Sequence, residues 1–342
     1  MFNLKKYIFI FIVIGVGCGE NRGIDEKNLN SDSFIRKSTP AERVFDLEAI
    51  EPERLPDYKE GFLINPIEIK ISDKYLYVLD SGDFRLKRFT LTGSFVNLIL
   101  NGRGEGPGEV WNPTDYLIEN DTVWVVDPNP RRLSMFSVEG AFLSNLYIGV
   151  LATRIVKLNK EFVLMTLMGP RLFLRIDASG DVIDRFGNPL EKRVSNRLAL
   201  SGTLAPAPNG GFIYVPRYTG RFYYYSPEGM LIKSRDTIDA FSFPPESQET
   251  IEGGRMMKAP EGDIVTVNGR VYDGVLYMYT RFGSKQPHGY QTVLDRYDWD
   301  SGRYLGSIGI PLPNSKVIVH GDWLYCVSDT TIMRFRIVRR SS

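Results

Sequence analysis

The feature that most constrains the fold is an internal repeat of 47 residues. Its first copy contains Leu79-Asp80, Arg85-Leu86, Phe89, Gly93 and Phe95, and its second copy contains Val126-Asp127, Arg132-Leu133, Phe136, Gly140 and Phe142. Asn65-Pro66 and Asn112-Pro113 precede the two copies at the same offset. A repeat of this length, made of short β-rich runs separated by turns, is typical of one four-stranded propeller blade.

Alternation of apolar and polar residues, with many β-branched and aromatic side chains, predicts four strands in each copy. They are Ile67–Ile71, Tyr75–Asp80, Leu86–Leu91 and Ser94–Leu100 in the first copy, and Thr114–Ile118, Thr122–Asp127, Leu133–Ser137 and Ala141–Ile148 in the second. Short polar turns join these runs, as in an antiparallel sheet. The 20 Phe, 18 Tyr and 4 Trp residues suit strands of this kind.

Weaker copies follow along the chain. The third strand and its glycine turn recur at Phe173–Asp177 with Gly180, Arg221–Tyr225 with Gly229, and Val293–Tyr297 with Gly302, and a truncated copy contains Trp323–Val327 and Ile332–Ile337. Strand patterning stops at Phe241–Gly254, which we interpret as an insertion and not as a missed blade. Six copies between residues 60 and 338 predict an all-β, six-bladed β-propeller.

The last copy lacks a fourth strand, and an unclosed ring would leave unpaired backbone groups at its edge. Arg43–Leu47 alternates and precedes the first blade. We therefore expect an N-terminal strand to form the outer strand of the last blade, and the propeller domain to cover residues 43–338.

The N-terminus has the features of a bacterial lipoprotein signal peptide at residues 1–17. Lys5-Lys6 precede the uncharged run Tyr7–Val16, which at about ten residues is too short to span a bilayer as a helix. Gly15–Cys18 resembles a lipobox, with Gly15 where leucine is usual, so Cys18 is the expected lipidation site. The alternative is an ordinary signal peptide with an incidental cysteine.

Residues 18–42 are polar and predict a disordered tether behind the lipidated cysteine. The expected location is the bacterial cell envelope, with the protein in the periplasm or at the outer-membrane surface. Contact with the membrane would be through the lipid anchor only. A net charge of +1 lacks the excess of Lys and Arg that nucleic-acid binding requires, so nucleic acid is not an expected partner. Cys326, within an apolar strand, is expected to be a buried thiol and not a nucleophile.

The segment Asn101–Glu109, followed by Asn112-Pro113, resembles the glycine-rich start of an NHL repeat. Val125–Asp127 and Leu133–Phe136 occupy the later positions of that pattern. The chain is similar to the six-bladed, NHL- and TolB-like propeller lipoproteins of Gram-negative bacteria, most clearly over residues 61–142. The resemblance implies a binding or scaffold role, since most NHL-type propellers bind partners and a minority are enzymes.

Candidate binding residues lie in predicted loops. The glycine-rich segment differs from a phosphate cradle because it leads into a strand and not into a helix. Its polar and aromatic side chains are candidates for a rim surface, and two further arginines near loops could face a sugar or peptide. Alternation predicts that the aromatic cluster Tyr218 and Phe222–Tyr225 is mostly strand core, and any outward member could contact the same kind of ligand. The candidate binding residues are Arg103, Glu105, Glu109, Trp111, Arg171 and Arg217. The expected partner is a protein, peptide or glycan of the envelope, or a small ligand.

Catalytic signals are sparse, and no catalytic residue is assigned. Asp80 and Asp127 end matching strands and are expected to satisfy backbone donors, with Arg85 and Arg132 bracing the blades. The only histidines, His288 and His320, have no spacing that suggests a metal pair. No cofactor is predicted. The alternative function is a metal-dependent hydrolase or lyase at the channel mouth. Similarity to six-bladed lactonase- and lyase-type propellers, which hold a divalent ion in the channel, would imply a bound Ca²⁺ or Zn²⁺ there.

Overall fold

The computed structural model describes residues 42–55, 62–187, 197–239, 249–251, 254–256, 266–281, 292–312, 316–328 and 330–340. The predicted signal peptide, nearly all of the predicted tether, Cys18 and His288 lie outside these ranges. Within them, no helix has the length and apolarity needed to cross a bilayer.

The described residues form strands and one short 3-10 helix, Arg197–Leu200. The strands of the first half are β1 (Leu47–Arg54), β2 (Pro66–Ser72), β3 (Tyr75–Asp80), β4 (Arg85–Thr90), β5 (Phe95–Leu98), β6 (Asp115–Glu119), β7 (Thr122–Asp127), β8 (Arg132–Ser137), β9 (Phe142–Tyr147), β10 (Ala152–Leu158), β11 (Glu161–Thr166), β12 (Phe173–Ile176) and β13 (Val182–Phe186). Those of the second half are β14 (Gly202–Pro206), β15 (Phe212–Pro216), β16 (Arg221–Tyr225), β17 (Leu231–Asp236), β18 (Glu249–Ile251), β19 (Gly254–Met256), β20 (Thr266–Tyr272), β21 (Val275–Arg281), β22 (Thr292–Asp298), β23 (Tyr304–Ile310), β24 (Lys316–His320), β25 (Trp323–Ser328) and β26 (Thr331–Arg339).

The strands are arranged as six four-stranded antiparallel blades. Blades 1 to 5 are β2–β5, β6–β9, β10–β13, β14–β17 and β20–β23, and blade 6 is β24–β26 with β1 as its outer strand. The start of β1 also pairs in parallel with β23 of blade 5, so blades 5 and 6 are joined into one eight-stranded sheet. First strands of neighbouring blades contact each other: β6 with β10, β10 with β14, β14 with β20, and β24 with both β20 and β2. The six first strands therefore surround a common axis, and we call the space that they enclose the central channel.

Apolar side chains pack between blades. Each of the six hydrophobic clusters among the described residues draws its members from two neighbouring blades. Between blades 1 and 2, for example, Tyr77 and Leu79 share a cluster with Tyr116 and Val125. Successive side chains of a strand point to opposite faces of its sheet, so each blade supplies both of its neighbours. Six interfaces close the ring, which confirms the predicted six-bladed all-β propeller.

The ring is closed by an N-terminal strand, as predicted, but that strand begins later than expected. β1 pairs antiparallel with β26 as the outer strand of blade 6. The prediction placed the strand at Arg43–Leu47, of which only Leu47 belongs to β1. The preceding residues instead follow blade 5, where Ser307 N donates to Val44 O over 2.8 Å. In the same segment the Arg43 side chain forms ion pairs with two buried carboxylates, Asp295 of blade 5 and Asp239, which follows blade 4.

The repeated glycine after each third strand is explained by its backbone conformation. Gly93, Gly140, Gly180, Gly229 and Gly302 have φ values of 97°, 96°, 90°, 84° and 73°. At Gly140 an added Cβ would lie 2.5 Å from the carbonyl oxygen of Leu98. A residue with a side chain would therefore be both strained and obstructed at this turn.

Between blades 4 and 5, the described residues contain no further blade. The end of the predicted insertion is not free of strands, however, because β18 and β19 form a small antiparallel hairpin there. The expectation that strand structure is absent from Phe241–Gly254 is therefore wrong at Glu249–Ile251 and Gly254.

Candidate functional site

All six sequence-predicted binding residues lie on one face of the ring. Because neighbouring strands are antiparallel, the loops that lead into the first strands share a face with the turns between second and third strands. We call this the entry face. Arg103, Glu105, Glu109 and Trp111 lie in the loop before β6, Arg171 lies in the turn between β11 and β12, and Arg217 lies in the turn between β15 and β16.

The glycine-rich loop before β6 is stabilised by its own hydrogen bonds. Gly106 N donates to the Glu109 carboxylate over 2.8 Å, and Asn101 N donates to Gly108 O over 3.0 Å. A phosphate cradle binds its ligand through backbone N–H groups such as these, but here they are already bonded within the loop. The loop is thus a structural turn between blades 1 and 2, and Glu109 supports it.

Two of the predicted residues are in direct contact at the surface. The guanidinium of Arg103 lies 4.9 Å from the ring centroid of Trp111 and 5.1 Å from that of Phe84. Trp111 is 37% exposed, and Arg103 and Glu105 are also exposed. Arg171 and Arg217 belong to other blades and are half-buried. The sequence candidates therefore share a face but do not form one compact site.

The repeated aspartates have a structural role, as expected. Asn65 N donates to Asp80 over 2.8 Å and Asn112 N donates to Asp127 over 2.9 Å. Each fully buried carboxylate therefore ties the segment that enters a blade to the end of the second strand of that blade. These bonds explain why the Asn-Pro pair and the aspartate keep their spacing in both copies.

The basic partner of these aspartates differs between the copies. Arg132 donates to Asp127 over 3.2 Å, whereas Asp80 is paired with Lys87, whose Nζ lies 2.8 Å away. Arg85 donates instead to the Leu100 carbonyl. Burial alone would raise the pKa of Asp80, but the hydrogen bonds from Lys87 and from backbone N–H groups hold it below its usual value. Arg85 therefore braces its own blade through a backbone carbonyl, and Lys87 has the place beside Asp80 that Arg132 has beside Asp127.

A second group of polar side chains, not identified from the sequence, meets in the central channel. Glu68 on β2 forms an ion pair with Arg270 on β20, and the Asn268 amide donates to the same carboxylate over 3.4 Å. Blade 6 lies between blades 5 and 1, so this pair crosses the channel. Lys70 extends from β2 to blade 2, where its Nζ lies 2.6 Å from Asp115 Oδ1.

Asp115 connects three blades. In addition to the Lys70 pair from blade 1, its Oδ2 accepts a hydrogen bond from Ile155 N of blade 3 over 3.0 Å. Burial alone would raise the pKa of Asp115, but the charges of Lys70, Arg154 and Arg270 outweigh it and lower the pKa. Burial lowers the pKa of Lys70, and Asp115 opposes that effect. Arg154 and Arg270 thus lie around the same carboxylate, although they come from blades 3 and 5.

Arg154 on β10 differs from the other charged groups of the channel. Its Nη1 donates to two backbone carbonyls, Thr114 O at 3.0 Å and Thr153 O at 2.7 Å. No carboxylate among the described residues forms an ion pair with it.

The cations of the two ion pairs are more exposed than the carboxylates. The side chains of Lys70 and Arg270 are 18% and 17% exposed, whereas those of Asp115 and Glu68 are only 4% and 6% exposed.

We define the channel cluster as Glu68, Lys70, Asp115, Arg154, Asn268 and Arg270. Glu68, Asp115, Arg154 and Asn268 lie within the first three residues of their strands, which places them toward the entry face. Lys70 and Arg270 are the fifth residues of seven-residue strands, but their charged ends reach Asp115 and Glu68. One signal in the sequence could have indicated the cluster. Glu68 and Lys70 alternate with Ile67, Ile69 and Ile71, so β2 carries a charged side opposite an apolar one.

Other sequence candidates lie within the core. Tyr218 and the run Phe222–Tyr225 are all buried. This confirms the prediction that the aromatic cluster is mostly strand core, and none of its members is left facing outward. Cys326 is fully buried between blades 5 and 6, where burial raises the pKa of its thiol. His320 ends β24 beside the Tyr272 ring. Among the described residues, no group of three or more His, Cys, Asp or Glu side chains is placed to hold a metal ion.

Comparison with known proteins supports the architecture. A family model described as a six-bladed β-propeller matches residues 56–168, and no curated protein matches the chain. A candidate exported protein from Bacteroides fragilis is similar in structure, with a TM-score of 0.59, 14% identity, and coverage of 92% of this chain and 98% of its own. Virginiamycin B lyase from Staphylococcus aureus has a TM-score of 0.53 and 10% identity over 85% of this chain and 98% of its own. These similarities establish a shared fold.

Proposed function

We propose that this protein is a lipid-anchored propeller of the bacterial cell envelope that binds another envelope component at its entry face. The ligand is a peptide, a glycan or a small molecule, one polar group of which enters the channel mouth. The observation that carries the proposal is the channel cluster, because four blades each contribute charged side chains to one partly desolvated place near the entry face.

Physical chemistry favours a binding role for such a cluster. Charged groups in a water-poor space are costly unless they are paired, and they interact strongly with a ligand of complementary charge. The rigid first strands hold the cluster in place, so little conformational entropy is lost on binding. The exposed Arg103–Trp111 contact on the same face adds an aromatic surface suited to a sugar ring or peptide side chain.

The proposed location rests on the N-terminal sequence and on the similarity to a candidate exported protein. The lipobox-like Gly15–Cys18 supports acylation at Cys18, and an anchored, NHL- or TolB-like propeller would present one face to partners in the envelope. Labelled palmitate should be incorporated into the wild-type protein and not into Cys18→Ser. Equal labelling of both proteins would contradict the anchor at this residue.

The binding role is tested by capture of ligands from an envelope extract. Full-length protein in detergent is incubated with the extract and washed, and bound compounds are identified by mass spectrometry after denaturation. We expect a compound that the wild type retains and the double variant Glu68→Gln/Arg270→Gln loses. The control is Arg185→Gln, which changes an exposed arginine on the outer strand of blade 3 and should retain the compound. If wild type and double variant retain the same compounds, the channel mouth is not the binding site.

The alternative of a metal-dependent hydrolase or lyase at the channel mouth stays a prediction. The channel cluster contains two carboxylates, and both are already engaged by cations.

A further inference from the structure

The channel cluster contains more positive than negative charge. Lys70 is paired with Asp115 and Arg270 is paired with Glu68. Arg154 is left as a cation without a carboxylate partner among the described residues. A guanidinium remains charged in proteins under all ordinary conditions. The cluster therefore has a net charge of one positive unit, and because its charged side chains are largely buried, salt screens this charge less than it would at an exposed surface.

The neighbouring carboxylate cannot neutralise Arg154 by direct contact. Asp115 Oδ1 accepts hydrogen bonds from Lys70 Nζ at 2.6 Å and from Tyr116 N at 2.9 Å, and its Oδ2 accepts one from Ile155 N at 3.0 Å. Its hydrogen-bonding positions are thus largely occupied. The positive charge of Arg154 is felt at Asp115, where it helps to lower the pKa, but no ion pair forms.

Arg154 is also held in position by the fold. Its two bonds to the Thr114 and Thr153 carbonyls use only Nη1, and carbonyls leave the charge of the guanidinium unneutralised. The buried Nε atoms of Arg154 and Arg270 and the Oδ1 atom of Asn268 have no hydrogen-bond partner among the residues that the structure describes. The cluster therefore keeps hydrogen-bonding capacity that its own residues do not use.

We propose that the central channel binds an oxyanion, the carboxylate or phosphate group of a small polar ligand, with Arg154 as the principal anchor and Arg270 and Lys70 providing additional positive charge. This inference rests on the proposed function and specifies the chemical class of its ligand. A planar guanidinium fits carboxylate and phosphate oxygens better than other side chains do. The cations are the more exposed charges of the cluster, so an entering ligand meets positive charge first.

The test measures binding of three probes to the full-length protein in detergent by calorimetry and thermal shift. The probes are inorganic phosphate, glucuronate and glucose, and the last two differ in the carboxylate group. We expect phosphate or glucuronate to bind and to raise the melting temperature, and glucose to have no effect. Binding of one anion and not the other identifies which oxyanion the site accepts.

The variant Arg154→Gln should weaken binding of that anion by about 10- to 100-fold, as expected for loss of a charge-assisted hydrogen bond. Arg154→Lys keeps the positive charge but lacks the planar guanidinium with its paired N–H donors, and it should give an intermediate affinity. Arg185→Gln, on the opposite edge of the same blade, should bind like the wild type. Comparison of the probes on wild-type protein decides the question even if a variant fails to fold.

Two results would overturn the inference: neither anion binds the wild type, or Arg154→Gln binds it as tightly as the wild type and Arg185→Gln do. The proposed function can fail separately. Retention of a neutral envelope compound that depends on the channel would support the binding role and exclude the oxyanion. If an anionic probe binds but no envelope compound is retained in a channel-dependent way, the oxyanion site is supported and the proposed binding role is contradicted.

Discussion

Replacement of Arg43 should destabilise the propeller more than replacement of a surface residue in the same N-terminal segment. Arg43 Nη1 lies 2.8 Å from Asp239, and its Nε and Nη2 lie 3.0 and 2.9 Å from the two oxygens of Asp295. All three side chains are less than one-tenth exposed. Burial lowers the pKa of Arg43, but its bonds to both carboxylates outweigh that effect and raise it. The guanidinium thus joins the start of the chain to blade 5.

The magnitude follows from what Arg43→Ala leaves behind. Asp295 would keep hydrogen bonds from the Ser307 and Thr280 hydroxyls at 2.6 and 3.2 Å. Asp239 would lose every hydrogen-bond partner that it has among the described residues. Removal of one member of a buried ion pair costs about 3–5 kcal/mol because the remaining charge is uncompensated. We expect a loss of stability in that range.

The control is Glu53→Ala, in the same closing segment. Glu53 pairs with Arg334 over 2.7 Å, but its side chain is 48% exposed. An exposed pair of this kind contributes within about 1 kcal/mol. Urea unfolding of wild type, Arg43→Ala and Glu53→Ala at neutral pH measures the difference directly. A midpoint for Arg43→Ala as high as that for Glu53→Ala would refute the reasoning.

The pH dependence provides a second check. Burial raises the pKa of Asp239, and the hydrogen bonds from Arg43 oppose the rise. Without Arg43 the pKa should rise further. An acid whose folded pKa exceeds its unfolded value loses stability as the pH rises through that interval. The deficit of Arg43→Ala relative to wild type should therefore be largest at neutral pH and should shrink on acidification. A deficit independent of pH would show that Asp239 is not the group left unpaired.

Three further predictions concern single positions. The depressed pKa of Asp80 contributes stability that is present above the ordinary aspartate pKa and lost as pH falls through the folded value, so Asp80→Asn should flatten the acid limb of stability measured by urea unfolding. Gly140→Ala should cost about 1–3 kcal/mol in the same assay, and more than Gly149→Ala, where φ is also positive but no atom of the described residues lies within 4 Å of the added Cβ. Equal losses would show that the clash at Gly140 does not contribute. Cys326 should resist thiol reagents in the native protein and react only in denaturant, and rapid native labelling would contradict its burial.

The blade pattern could be predicted from the sequence because blades are built from neighbouring segments. Each antiparallel pair joins residues that are close in the chain, so alternation, polar turns and the repeated glycine determine it locally. The strands β3, β7 and β16 have the predicted bounds, and the other predicted blade strands differ by one or two residues at either end. Closure by an N-terminal strand followed from the missing fourth strand of blade 6. The register of that N-terminal strand could not be predicted, because it depends on the position of the buried carboxylates with which Arg43 pairs.

The site depended on tertiary structure for a different physical reason. Glu68 and Arg270 are far apart in sequence and come from blades that are not adjacent, so only the radius and tilt of the closed ring bring them together. The charged alternation on β2 showed that polar groups line one side of that strand but not what they meet. The sequence by itself determined the number of blades and the turns that shape them. The closed ring determines which charged side chains share the channel, because their pairing arises from the packing of six blades against one another and not from any single blade.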